Sequence, residues 1–124
     1  MLKLKILFQL SVLTIIPSLL FGQNIKLTVF NKTGYNLDSV SFGRFQLGKI
    51  NKDSCVFLSD IDEIIIQGDV PLHRPFGIIK GKRRLFNLSP CSTKSTKKKS
   101  GSYAFDIYIY ETKKEYRLYW KKHE

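Results

Sequence analysis

Apolar side chains recur at every second position along most of the chain. Ile25, Leu27 and Val29 alternate with Lys26, Thr28 and Phe30, the period of a strand with one buried face. Asn31-Lys32-Thr33-Gly34 then predicts a turn. Val40 and Phe42 mark a second strand ending at Gly43, and Phe45 and Leu47 a third ending at Gly48. After a turn at 51–54, Cys55-Val56-Phe57-Leu58 reads as a strand. So does Ile64-Ile65-Ile66, whose consecutive β-branched residues suit burial on both faces. Residues 68–75 contain Pro71 and Pro75 and predict a loop, because proline removes ladder donors. Segments 77–80 and 85–88 flank a basic turn at 81–84, and 89–102 reads as a long Ser/Thr/Lys-rich loop. No segment after residue 22 sustains helical spacing.

The last hairpin constrains itself most tightly. Strands at 103–111 and 116–121 flank Thr112-Lys113-Lys114-Glu115. Pairing Glu111 with Tyr116 sets Ile109 opposite Leu118 and Ile107 opposite Trp120, giving one apolar face. The other face then carries Asp106, Tyr108 and Tyr110 with Arg117, Tyr119 and Lys121. A slip by one residue mixes the faces and sets Glu111 against Glu115, so the even register is favoured. Strand after strand, with turns every few residues, predicts an all-β fold: an antiparallel β-sandwich of about seven strands.

The first 22 residues have a different character. Lys3 and Lys5 precede an uncharged run from Ile6 to Phe21, and Gly22 and Gln23 open a polar stretch. A basic start, a short apolar run and a small residue before a polar stretch predict a signal peptide over 1–22, cleaved after Gly22. The competing reading is an uncleaved anchor, and the run is short for that role. A single domain over 23–124 would follow, secreted or periplasmic, with no membrane span in the mature chain. Export also bears on Cys55 and Cys91, the only cysteines. In an oxidising compartment a disulfide between them is the default, stabilising by roughly 3–4 kcal/mol in the chain-entropy model.

Composition then narrows the partner. Of 124 residues, 21 are Lys or Arg and 10 are Asp or Glu, a net charge of +11. The predicted signal carries only Lys3 and Lys5, so most of that excess belongs to the domain. Two clusters concentrate it: Lys80, Lys82, Arg83 and Arg84, and Lys94, Lys97, Lys98 and Lys99. Folded to one end, they would make a surface for an anionic polymer such as lipopolysaccharide, acidic glycan or nucleic acid. The hairpin face of Tyr108, Tyr110, Arg117, Tyr119 and Lys121 is the second candidate surface, since rings interleaved with cations stack on sugars, bases or a protein partner.

Catalytic signals are sparse. The chain has no phosphate-binding glycine loop, no Gly-x-Ser-x-Gly elbow and no His-Glu-x-x-His helix. His73 and His123 are its only histidines, and the Asp60, Asp62, Glu63 cluster lacks calcium-loop spacing. No metal or cofactor is expected. A hydrolase would need two carboxylates among Asp53, Asp60, Asp62, Glu63, Asp69 and Asp106 brought together by folding. Asn31-Lys32-Thr33 and Asn87-Leu88-Ser89 match the glycosylation acceptor pattern.

The segments Asn-Lys-Thr-Gly-Tyr-Asn-Leu-Asp-Ser-Val at 31–40 and Gly-Ser-Tyr-Ala-Phe-Asp-Ile at 101–107 resemble small uncharacterised secreted β-proteins of Gram-negative bacteria. That resemblance implies export and β structure and brings no activity with it. The expectation is thus a non-enzymatic binding or interaction module of the envelope or extracellular space, its partner an anionic polymer or an envelope protein. The alternatives are a small secreted hydrolase using a carboxylate pair, and a structural accessory subunit of an envelope assembly.

Overall fold

A computed structural model describes residues 24–85 and 94–124. The predicted signal segment and Cys91 both lie outside the described residues. In chain order the strands are β1 (Ile25–Asn31), β2 (Leu37–Phe42), β3 (Phe45–Ile50), β4 (Cys55–Ile61), β5 (Ile64–Gln67) and β6 (Val70–Pro71). They continue as β7 (Phe76–Ile78), β8 (Arg83–Arg84), β9 (Thr96–Lys98), β10 (Gly101–Glu111) and β11 (Glu115–Lys122). The described residues contain no helix, so the fold is all-β as the alternation implies. The strands form a five-stranded sheet in the order β4-β1-β10-β11-β8 and two three-stranded sheets, β3-β2-β7 and β6-β5-β9.

The large sheet is mixed, which corrects the expectation of an antiparallel arrangement throughout. β1 runs parallel to β10, with Leu27 beside Tyr103, Val29 beside Phe105 and Asn31 beside Ile107, and β8 runs parallel to β11. A period-two pattern reads the same in both directions, so it could not reveal this orientation. The count is also higher than seven among the described residues, because three short strands sit where turns or loops were expected. They are β6 within 68–75, β8 within 81–84 and β9 within 89–102. Each is recruited by a neighbour: β9, for example, pairs with β5 through Ile64–Lys98 and Ile65–Lys97.

The final hairpin takes the even register. Glu111 pairs with Tyr116, Ile109 with Leu118, Ile107 with Trp120 and Asp106 with Lys121. Its apolar face joins the β1 row of Ile25, Leu27 and Val29, all fully buried. That face meets Leu37, Val40 and Phe42 of β2, Leu47 and Ile50 of β3, and Ile64 and Ile66 of β5 in one core. Contacts between the sheets are specific as well as apolar. Phe42 meets Trp120 edge-on at 5.1 Å, a favourable aromatic geometry. The Trp120 indole donates to His73 O at 2.8 Å, and the buried Tyr116 hydroxyl donates to Gly77 O at 2.6 Å. Gly77 permits close approach here, since a Cβ would lie 3.2 Å from Leu118 Cδ1 and oblige that side chain to shift by a few tenths of an ångström.

Buried Asn31 locks the loops at one end. Its amide nitrogen donates to Tyr35 O at 2.7 Å and Ile50 O at 3.0 Å, while its oxygen accepts from Thr33 N and Thr33 Oγ1. With no exposed surface and its amide engaged, Asn31 cannot serve as a glycan acceptor, so that pattern match is corrected. Asn87 lies outside the described residues.

Candidate binding groove on the outer sheet face

Residues of β10 and β11 that turn away from the core form the second face of the large sheet. On it the predicted candidates separate into those that line a groove and those beside it. Tyr108 and Tyr119 stack with centroids 6.0 Å apart, and the Lys121 ammonium lies over the Tyr108 ring at 4.6 Å. Tyr108 and Lys121 line a groove of about 640 Å³, with Tyr119 supporting Tyr108 from behind. Tyr110 and Arg117 form the next pair toward the turn, and Tyr110 is 59% exposed.

Several groove residues were not among the candidates for this face, and the burial of Asp106, which the hairpin register did place on it, had no signal in the sequence. Asp106 sits on the polar face of β10 yet is 5% exposed. Its Oδ1 lies 2.7 Å from Nδ1 of His123. The His123 ring in turn stacks flat on Phe30, with centroids 4.0 Å apart and planes at 6°. Phe30 and Asp106 are neighbours across the β1–β10 pair, so the sheet register places the acid beneath the imidazole. A buried carboxylate needs such a partner. Lys32, Asp69, Lys122 and Glu124 also line the groove.

A second hollow of about 330 Å³ shares Asp69, Lys122 and His123 with the first and extends it past Lys98, Tyr103 and Phe105. The first is lined by Lys32, Lys121 and Lys122 on the outer face, and the second lies around the end of the sheet, lined by Lys98 and Lys122 with Tyr103 and Phe105 of the core side. One lysine of the predicted second cluster, Lys98, therefore lies in the hollow next to the groove and not on the predicted hairpin face. No sequence spacing indicated this, because β9 reaches that hollow only through its pairing with β5.

The two basic clusters do not converge, which corrects the condition placed on them. Arg83 and Arg84 pair with Glu115 and Tyr116 at the turn end of the hairpin. Lys98 lies beside Ser102 and Tyr103 at the opposite end of β10. Nine strand steps separate those ends, about 30 Å. Some of these cations also have internal partners. Lys82 donates to Glu111 at 2.7 Å, Arg84 lies over the Phe76 ring at 4.2 Å, and Lys97 approaches Glu63 at 4.0 Å. Lys80, Lys94 and Lys99 are exposed.

The Lys82–Glu111 pair is the clearest electrostatic feature. Tyr35 OH also donates to Glu111, at 2.7 Å. The Lys82 ammonium and then the Tyr35 hydroxyl hold the Glu111 carboxyl below its ordinary range, and Glu111 in turn raises the Lys82 amine. This triad ties two loops to the end of β10.

Among the described residues no cluster of three or more His, Cys, Asp or Glu side chains is arranged to hold a metal. Asp69 and Asp106 line the same groove, with Asp106 turned to His123. Asp60 lines a different one between β3 and β4. Among the described residues Cys55 is a free, exposed thiol on β4. No family model, curated protein or solved structure matches this chain.

Proposed function

We propose that the protein is an exported, non-enzymatic binding module that holds an acidic glycan in the groove on its outer sheet face. The observation that carries this reading is the convergence of Lys32, Lys121 and Lys122 with the Tyr108 ring on one groove, beside a second hollow that carries Lys98. Lysines pair with the carboxylates or sulfates of such a polymer. The Tyr108 ring offers a stacking platform for a sugar. The groove's Asp69 and Glu124 accept hydrogen bonds from sugar hydroxyls, which favours a glycan over a polymer that presents mainly phosphates. Asp106 is turned inward to His123 and steadies the floor.

In this reading residues 1–22 are a signal peptide removed on export, and the sheets pack as a β-sandwich around the shared core. The likeness of segments 31–40 and 101–107 to secreted β-proteins of Gram-negative bacteria agrees with that placement.

The test is titration of the mature domain with polygalacturonate at two salt concentrations. Affinity is expected to fall by about tenfold or more between roughly 50 and 200 mM salt. Replacing Lys32 and Lys121 together by Gln should weaken binding, whereas replacing Arg83 and Arg84 by Gln, five strand steps or about 17 Å from Lys121 along the hairpin, should leave it unchanged. Binding that is absent, insensitive to salt, or equally sensitive to both pairs would end this reading.

A further inference from the structure

Among the described residues six strands stand at the edges of the three sheets: β4 and β8, β3 and β7, β6 and β9. An open edge exposes unpaired N–H and C=O groups and invites another strand, so proteins normally blunt it with charge, proline, bulges or brevity. Five of the six are blunted in these ways. β8 is two arginines, β6 is two residues ending in Pro71, and β9 presents Lys97 and Lys98. β7 has three residues and follows Pro75. β3 carries Lys49 and pairs with β2 through two register shifts.

β4 differs. It is seven residues long, Cys-Val-Phe-Leu-Ser-Asp-Ile, with no lysine, arginine or proline. Its pairing with β1 is regular from Cys55 to Leu58, and the only irregularity follows at Ser59–Asp60. Asn31 N–H donates to Ser54 O at 2.9 Å. Alternation along an antiparallel pair therefore turns the amides of Val56 and Leu58 toward β1 and those of Cys55 and Phe57 outward. The Phe57 side chain is 59% exposed. A groove of about 480 Å³ runs beside this edge, between Phe57–Ile61 and Arg44–Gln46 of the neighbouring edge strand β3.

We propose that β4 is a strand-addition site that accepts an extended segment of a partner protein. That segment would bond the outward amides and carbonyls of Cys55 and Phe57 and set an apolar side chain into the groove against Phe45 and Leu58. Backbone pairing supplies affinity in such additions, and pockets for alternate side chains supply specificity. The occupant is a different protein rather than a second copy, because each mature chain keeps 19 Lys and Arg against 10 Asp and Glu once Lys3 and Lys5 leave with the signal, and that like charge opposes self-association. The exposed acids Asp60 and Asp62 at the end of β4 call for a lysine or arginine at the adjoining end of the added strand. This site is separate from the outer-face groove and does not depend on what that groove binds.

Amide exchange on the full mature chain tests it. The probes are peptides of about eight residues alternating valine and threonine, ending in either lysine or glutamate, with a proline-interrupted control. The expected result is that the lysine peptide slows exchange at Cys55 and Phe57 by at least tenfold. The glutamate and proline peptides should do less. Phe57→Pro, which removes one outward donor at an edge where proline is tolerated, should abolish the effect, as should the charged guard Phe57→Lys. Three results would each overturn the proposal. One is failure of every peptide to protect these amides. Another is protection that rises with protein concentration alone, which would assign the edge to a second copy. The third is protection already present in the free chain and lost in Cys91→Ser, which would assign it to the chain's own segment.

Discussion

The Tyr116 hydroxyl joins two sheets through two buried hydrogen bonds, and removing that single oxygen measures what the seam is worth. Tyr116 is 1% exposed; its hydroxyl accepts from Ile79 N–H at 3.2 Å and donates to Gly77 O at 2.6 Å. Tyr116→Phe keeps the ring and its packing, so the transfer term hardly changes. What remains is one amide and one carbonyl stranded in the core. Each unsatisfied buried group costs about 1–3 kcal/mol. The carbonyl has a second lone pair and relaxes more readily, so a total of about 2–3 kcal/mol is expected. At roughly 4–8 °C per kcal/mol for a domain near 100 residues, that is a fall in Tm of about 8–24 °C. Urea unfolding should show a lower midpoint at an unchanged slope, since the surface exposed on unfolding is the same. A loss below about 0.5 kcal/mol would refute the reasoning, because it would mean that water already reaches Gly77 and Ile79.

Trp120→Phe removes the bond to His73 O and part of a buried ring. It should cost about 1–3 kcal/mol, additive with Tyr116→Phe within about 0.5 kcal/mol because the two sites lie about 13 Å apart along β11; strong coupling in urea melts of the double variant would contradict this. Asn31→Asp preserves shape but turns a carboxylate toward the carbonyls of Tyr35 and Ile50, and should destabilise by about 3 kcal/mol or more at neutral pH. The deficit should shrink on acidification. The Lys82–Glu111 pair makes stability depend on pH at both extremes. Glu111 contributes above the ordinary carboxylate value of 4.5, and this is lost as pH falls through its lowered value. Lys82 contributes below the ordinary amine value of 10.5, and this is lost as pH rises through its raised value. Glu111→Gln should therefore lie below wild type at mid-range pH and converge with it in strong acid and strong base. A constant offset across pH would contradict the assignment. Tyr108→Ala should weaken polygalacturonate binding in the same titration while the melting midpoint moves little, since the ring is part-exposed; unchanged affinity would remove Tyr108 from the binding groove.

The sequence was legible wherever one face of a strand is buried and the other is wet. In β1 and the β10–β11 hairpin, alternation located the strands. In the hairpin it also set the register, because only one pairing keeps Ile107, Ile109, Leu118 and Trp120 together. The same rule fails where no face is buried. Arg83–Arg84 and Thr96–Lys98 are exposed throughout, so nothing in their pattern distinguishes a strand from a solvated loop; their order comes from β11 and β5. It fails again for Asp106, whose polar position in the alternation predicts exposure. Burial there follows from two partners set by long-range pairing, Phe30 across a parallel ladder and His123 at the end of β11. The groove is assembled the same way: Lys32 follows β1, Lys121 and Lys122 end β11, Asp69 sits in a turn, and Lys98 of β9 in another sheet lines the adjoining hollow. A charge count located the excess of lysine, but only the parallel pairing of β1 with β10 decides which lysines share a surface. The two clusters that looked alike in sequence are therefore unequal. Lys98 lines the hollow beside the groove, whereas Arg83 and Arg84 pair at the far end of the hairpin, where Arg84 packs on Phe76 and guards an edge.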